Sequence, residues 1–244
     1  MSERIAKYLS RVGVASRRSI ETMITEGRIA VNGKVIDHPA TFVSEADEIK
    51  VDGEVLGKKE PARMWLYHKP KNAMVAERDP EGRTTIYDLL PPELPRVMPV
   101  GRLDYATEGL LLLTNSGALK RHLELPATGW LRKYKTRCRG EWRDEIIDEL
   151  EKGITVDGEK FGPIHVTWLE NRKGGMRHTW LEVSLREGKN REVRRALAHF
   201  GLEVDRLIRV AYGSFNLSNM QENEIKEVPA KILREQIGTI WSDL

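Results

Sequence analysis

The chain has 244 residues, 40% hydrophobic and 32% charged, with 40 Lys and Arg against 37 Asp and Glu. This length and composition provide a buried core in one large domain or two modest ones, and exclude a disordered tail. One cysteine, Cys138, excludes an internal disulfide framework and a multi-cysteine zinc site, and points to a reducing, cytoplasmic setting. No apolar stretch approaches about 18 residues, so a membrane span is excluded, and the charged start MSERIAKYLSR lacks the apolar core of a secretory signal.

In chain order, Ile5, Tyr8, Leu9 and Val12 recur at helical spacing, with Gly13 as a stop. Ser16 caps a second helix, 17–26, that turns Ile20, Met23 and Ile24 inward and ends at Gly27. Asn32-Gly33 and Asp52-Gly53, each between alternating apolar residues, predict two hairpins, because both turn residues need positive φ. Gly57-Lys58-Lys59-Glu60-Pro61 is polar and punctuated, so residues 1–57 form one unit, 58–62 a linker and 63–244 a second unit.

Beyond the linker, short strands dominate. They are expected at 64–67, stopped by His68-Lys69-Pro70, and at 109–114, 131–139, 180–185, 207–210 and 215–217. Helices are expected at 118–125, 144–152, 192–200 and 230–237. Strands and helices mixed without regular alternation predict an α+β fold with a mixed, mainly antiparallel sheet.

The near-balanced charge hides segregated patches. Arg4, Lys7, Arg11, Arg17, Arg18, Arg28 and Lys34 face only Glu21 and Glu26 within 4–34, whereas 35–60 is acidic. Further basic stretches are 117–143 and 186–195. One basic run is ordinarily a solvated face; three, offset by acidic segments, resemble a nucleic-acid footprint.

Three segments carry candidate chemistry. In Gly101-Arg102-Leu103-Asp104-Tyr105-Ala106-Thr107-Glu108-Gly109, Asp104 and Glu108 flank a loop feeding the most apolar strand, where a carboxylate is held beside a substrate or simply shapes a turn. Arg186 to Arg195 is either a solvated basic loop or a source of guanidinium for a carboxylate or phosphate. Leu131-Arg132-Lys133-Tyr134-Lys135-Thr136-Arg137 interleaves an aromatic with cations, as a base-stacking site does. The six histidines have no metal-ligand spacing, and no metal site is expected.

Taken in order, Tyr67-His68-Lys69-Pro70, Gly101-Arg102-Leu103-Asp104 with Thr107-Glu108-Gly109-Leu110, Lys133-Tyr134, and Glu187 to Arg195 with Leu207-Ile208-Arg209 resemble the S4-domain pseudouridine synthases. The resemblance is to the RsuA/RluB-like branch, which modifies ribosomal RNA, and covers nearly the whole chain. It implies an S4-like RNA-binding domain at the N-terminus and a catalytic domain after it. It also implies isomerisation of a uridine to pseudouridine with no cofactor and no metal. Asp104 is then the essential carboxylate, as nucleophile or as base, with Arg194 paired to it. Tyr134 stacks on the extruded uracil, and Leu185 and Val193 wall the pocket.

RNA contacts are expected from Arg4, Lys7, Arg11, Arg17, Arg18, Arg28, Lys69, Arg102, Lys133, Lys189, Asn190, Arg191 and Arg195. The 187–195 segment is closer to the large-subunit members, which implies 23S rRNA or a large-subunit assembly intermediate as partner, and a monomeric enzyme. A 16S-directed enzyme of the same chemistry and a non-catalytic ribosome-assembly factor remain the alternatives.

Overall fold

The computed structural model describes residues 2–44, 46–56, 60–169, 178–238 and 241. Lys58 and Lys59 of the expected linker lie outside the described residues. The N-terminal unit opens with helices Ile5–Arg11 and Arg17–Thr25. The Ser16 hydroxyl accepts from the Ser19 amide at 3.2 Å and starts the second helix, as the capping rule requires. Ile5, Leu9, Ile20 and Ile24 pack on Ile29 and Ile49. A four-stranded antiparallel sheet follows in the order Lys34–Val35, Ile29–Val31, Ile49–Val51, Glu54–Val55. Its two hairpin turns hold Asn32 at φ 51° and Gly33 at 81°, and Asp52 at 52° and Gly53 at 85°.

The second unit is built on a nine-stranded sheet. Its main path runs His165–Trp168, Thr179–Leu185, Arg132–Arg139, Glu203–Tyr212, Glu108–Thr114, Met64–Lys69, Ile225–Glu227. All described pairs in it are antiparallel except Glu203–Tyr212 with Glu108–Thr114, which run parallel through Ile208 opposite Glu108 and Arg209 opposite Gly109. Together with helices such as Gly117–Glu124, Glu145–Lys152, Glu192–His199 and Ala230–Ile237, this makes a mixed α+β fold.

The four-leucine run is continuous because both faces of its strand are covered. Leu110 and Leu112 pack with Met64 and Leu233 in one core, and Leu111 and Leu113 with Trp65 and Tyr67 in another. All four are fully buried, each worth about 2 kcal/mol relative to exposure. Gly109 has φ +105°, and a Cβ there would sit 2.3 Å from the Arg209 carbonyl oxygen. Only glycine permits this close strand approach, which sets the strand carrying Arg209 against the loop that ends at Thr107.

Two of the expected elements differ from the sequence expectation by more than one residue at an end. The strand expected to stop at Tyr67 continues through His68 and Lys69 to the Pro70 break. The strand expected over 207–210 is ten residues long, Glu203–Tyr212, because its charged residues find partners across the sheet. Arg206, for example, reaches Glu108 at 2.7 Å.

Candidate active site

Asp104 sits on the loop between Gly101 and the Glu108–Thr114 strand, at the wall of a cleft of about 1850 Å³ lined by both units. The loop is held at several points. Leu103 is buried in the core beneath it. The Gly101 amide donates to Glu124 Oε1 at 2.6 Å. Four consecutive carbonyls then accept in turn: Asp104 O from the Thr107 amide at 3.0 Å, Tyr105 O from the Asn72 amide at 2.8 Å, Ala106 O from Arg194 Nη2 at 3.1 Å, and Thr107 O from Lys69 Nζ at 2.8 Å. Two cations thus clamp the loop and preorganise the carboxylate.

This arrangement corrects two expectations and places Glu108. Arg194 is not paired side chain to side chain with Asp104. Its Nη1 donates to Val204 O at 2.8 Å and its Nη2 to Ala106 O, so it acts on the loop backbone. The cation within ion-pair distance of the carboxylate is Arg191, Nη1 to Oδ2 at 3.8 Å. Asp104 still lies close enough to favour the Arg194 charge, against the burial and the neighbouring Arg191 that lower its affinity for the proton. Lys69 is not an RNA contact: it is fully buried, bonded to Pro70 O and Thr107 O, and burial pushes its pKa down to about 8. Glu108 does not share the cleft; Arg206 binds it bidentately and holds its carboxyl below the usual range.

Opposite the Asp104 loop, the end of the Thr179–Leu185 strand supplies Leu185 and the first turn of the Glu192–His199 helix supplies Val193, both nearly fully buried and both lining the cleft. Tyr134, half-buried on the Arg132–Arg139 strand, stands between Val183 and Arg209 in register and lines the same space. The 186–192 connection between these elements bends sharply at Arg191, which adopts φ 48°. Glu192 Oε2 accepts from the Lys189 amide at 2.9 Å, and Glu187 Oε2 pairs with Lys189 Nζ at 2.8 Å. Burial, then the neighbouring Glu187 carboxylate, pushes Glu192 up to about 8.

The floor of the cleft holds two guanidiniums that sequence patterning missed. Arg132 Nη2 donates to the Tyr212 hydroxyl at 2.9 Å, and that hydroxyl donates to Leu123 O at 2.7 Å. Arg209, only 3% exposed, donates from Nε to Leu110 O at 2.7 Å. Both guanidiniums lie over the Tyr212 ring, at 4.8 and 5.2 Å. The signal for Arg209 was its place two residues after Leu207 and two before Ala211, an inward register on an otherwise apolar strand face.

The remaining expected RNA contacts divide by geometry. Lys7, Arg11, Arg17, Arg102, Lys189, Asn190 and Arg191 line the cleft. Arg4, Arg17 and Arg18 are exposed and have no ion pair among the described residues. Lys7 and Arg11 share Glu3. Three others are neutralised away from the cleft: Arg28 is forked onto Asp52 and touches Glu26, Lys133 pairs with Glu182 at 3.2 Å, and Arg195 pairs with Glu159 and Asp157.

A carboxylate fixed at the mouth of an apolar slot, beside an aromatic ring and under a cationic rim, is suited to hold one extruded nucleotide of an RNA. The comparisons agree with this geometry. The S4 domain model matches residues 3–49, and the RNA pseudouridylate synthase model matches residues 63–199. An uncharacterized RNA pseudouridine synthase of Rickettsia felis is 40% identical over 233 residues, covering 96% of this chain and all of the relative. The ribosomal large subunit pseudouridine synthase B of Yersinia pestis is 39% identical over 223 residues, covering 89% of this chain and 69% of the relative. A crystal structure of a pseudouridylate synthase superposes with TM-score 0.68 at 22% identity, over 96% of this chain and 99% of that one, and shares its fold. The chain therefore belongs to the RNA pseudouridylate synthase family, in its S4-domain form, and is an RNA pseudouridine synthase.

Proposed function

We propose that this enzyme isomerises one specific uridine of 23S ribosomal RNA, presented as free rRNA or in a large-subunit assembly intermediate, with Asp104 as its essential carboxylate. The observation that carries the assignment to Asp104 is the loop whose four consecutive carbonyls, from Asp104 to Thr107, are all tied down while the Asp104 side chain, 31% exposed, faces the cleft. The large-subunit name of the Yersinia pestis relative supports the choice of subunit.

The reaction breaks the N1–C1′ bond of uridine, turns the base and joins C5 to C1′; the C5 proton leaves and N1 gains one. It is redox-neutral. Asp104 attacks C1′ as a nucleophile or takes a ribose proton as a base, and the loop geometry serves both routes. Arg191 lies within ion-pair distance of the carboxylate and helps to orient it. Arg194 and Lys69 keep the loop in place. Tyr134 stacks on the turned base, and Leu185 and Val193 keep water from the reacting carbon. The exposed Arg4, Arg17 and Arg18 hold RNA phosphates, so that the N-terminal unit confers grip rather than base choice. The same reading places a monomeric enzyme in the cytoplasm, where the buried free Cys138 stays reduced.

The test is tritium release from C5-labelled uridine in rRNA. Wild type releases it from 23S rRNA or a large-subunit particle, and Asp104→Asn does not, while RNA affinity is retained. Release from 16S rRNA alone overturns the subunit assignment, and full activity of Asp104→Asn overturns the role of Asp104.

A further inference from the structure

Tyr105, directly after Asp104, is used by nothing in the mechanism above. It is 39% exposed and lines the cleft, although its main chain is hydrogen-bonded. Its carbonyl accepts from the Asn72 amide, and its neighbours on both sides are held through their own carbonyls. A large aromatic side chain left open to water on a rigid loop costs little entropy when it binds something flat.

The Arg83 guanidinium lies over the Tyr105 ring at 5.9 Å. It is oriented from behind: Nε and Nη2 donate to Asp79 at 2.9 and 2.8 Å, and Nη1 pairs with Glu81 at 3.1 Å. Arg83 in turn holds the Asp79 carboxyl down to about 2. Arg83 is therefore locally neutralised, and so is Arg96, which pairs with Glu77 at 3.0 Å. The whole 74–100 segment carries Arg78, Arg83 and Arg96 against Glu77, Asp79, Glu81, Asp88 and Glu93. This rim has no excess positive charge with which to attract phosphate. Elsewhere along the cleft, Arg17 and Arg102 are exposed and have no ion pair among the described residues. An uncharged planar partner suits Tyr105 with Arg83, and phosphates suit those cations.

From this juxtaposition we infer that Tyr105, backed by Arg83, is a stacking platform for an unpaired nucleobase next to the target uridine, and thus a specificity-determining site on the same loop as the reacting carboxylate. This rests on the assignment of the cleft to RNA pseudouridylation. Tyr134 takes the target base; Tyr105 takes a neighbour, and fixes which uridine is offered to Asp104. Every base has a π-face, so the platform rewards an unstacked neighbour over a paired one, and a large base over a small one.

The test uses the full-length enzyme with a 23S rRNA fragment carrying the modified uridine, or unmodified 23S rRNA if wild type modifies none. Tyr105→Leu weakens RNA binding about tenfold, the loss expected for one base–aromatic stack. Tyr105→Phe stays within about twofold, because stacking does not need the hydroxyl. The slope of log affinity against log salt is unchanged in both, since no phosphate contact is lost. Single-turnover rate at saturating RNA stays within about threefold, so the defect is in KM and not in kcat. Conversely, an abasic substitution beside the modified uridine costs wild type about tenfold at one position, and costs Tyr105→Leu nothing further there. Unaltered affinity of Tyr105→Leu, an equal loss in Tyr105→Phe, or a shallower salt slope overturns the platform. Absence of pseudouridine formation by wild type instead overturns the functional reading, and the binding measurements still decide the platform.

Discussion

One set of cations in the N-terminal unit and another in the second unit do opposite work. In the N-terminal unit Arg4, Arg17 and Arg18 are exposed and have no ion pair among the described residues. In the second unit Lys69, Arg132 and Arg209 are buried, and Arg194 partly so; each donates to a backbone carbonyl or the Tyr212 hydroxyl, while Arg209 Nη2 and Arg194 Nε have no hydrogen-bond partner among the described residues. Sequence shows both sets as basic residues near motifs. Their environments separate them: an exposed cation is available to phosphate, whereas a buried one must be satisfied internally and shapes the protein instead. The difference teaches that positive charge near an RNA site is not by itself an RNA contact.

The largest effect that would break this division is expected at the clamped loop. Asp104→Asn lowers turnover by roughly 10³-fold or more with unchanged RNA affinity, because the group acts only on the reacting atoms. Lys69→Ala leaves the Thr107 and Pro70 carbonyls without their donor. We expect about 100-fold lower kcat from a displaced Asp104 and about 2 kcal/mol lower stability by denaturant unfolding. Its salt dependence of RNA binding stays that of wild type; a shallower slope would mean that Lys69 touches phosphate after all.

The converse variant carries Arg4, Arg17 and Arg18 all changed to Gln. It should bind rRNA more weakly, with a salt slope lower by about 2, at roughly 0.7–0.9 per phosphate contact, while kcat at saturating RNA is unchanged. Equal slopes would remove the proposed grip of the N-terminal unit.

The smallest effect concerns Glu192. Its carboxyl is pushed up to about 8 by burial and by Glu187, whereas in the unfolded chain it titrates near 4.5, as an ordinary glutamate does. The folded state therefore holds this proton more tightly, and the stability it contributes is present at low pH and is lost as pH rises from about 4.5 to 8. Glu192→Gln mimics the protonated side chain and removes that loss. The melting temperature of the variant should rise relative to wild type as pH goes from 5 to 8. A constant difference across that range would show that Glu192 is ionised in the fold.

Much of the fold was legible because local chemistry and tertiary structure agree. The Asn32-Gly33 and Asp52-Gly53 turns have the positive φ values their residues favour, and Ser16 caps the helix it precedes. The helix expected at 230–237 is observed as Ala230–Ile237. The resemblance implied that Asp104, Tyr134, Leu185 and Val193 share one site, and all four line the same cleft. What was not legible depends on three-dimensional burial. Nothing in the segment Tyr67-His68-Lys69-Pro70 says that Lys69 is enclosed, and helical register alone could not choose between Arg191 and Arg194 as the neighbour of the Asp104 carboxylate. The 74–100 segment gave little periodic signal because its buried residues Val75, Ile86 and Val97 are spaced irregularly along a segment with little regular secondary structure, and are joined by local ion pairs such as Arg83 with Asp79.

The central claim is that Asp104, held by this loop, makes pseudouridine in large-subunit rRNA. The direct measurement is nucleotide-resolution pseudouridine mapping of rRNA from cells lacking the gene, complemented with wild type or with Asp104→Asn. The account predicts one 23S uridine that is pseudouridine with wild type and remains uridine with both the empty control and Asp104→Asn. A modification restored equally by Asp104→Asn, or no difference between wild-type and null rRNA, would contradict it.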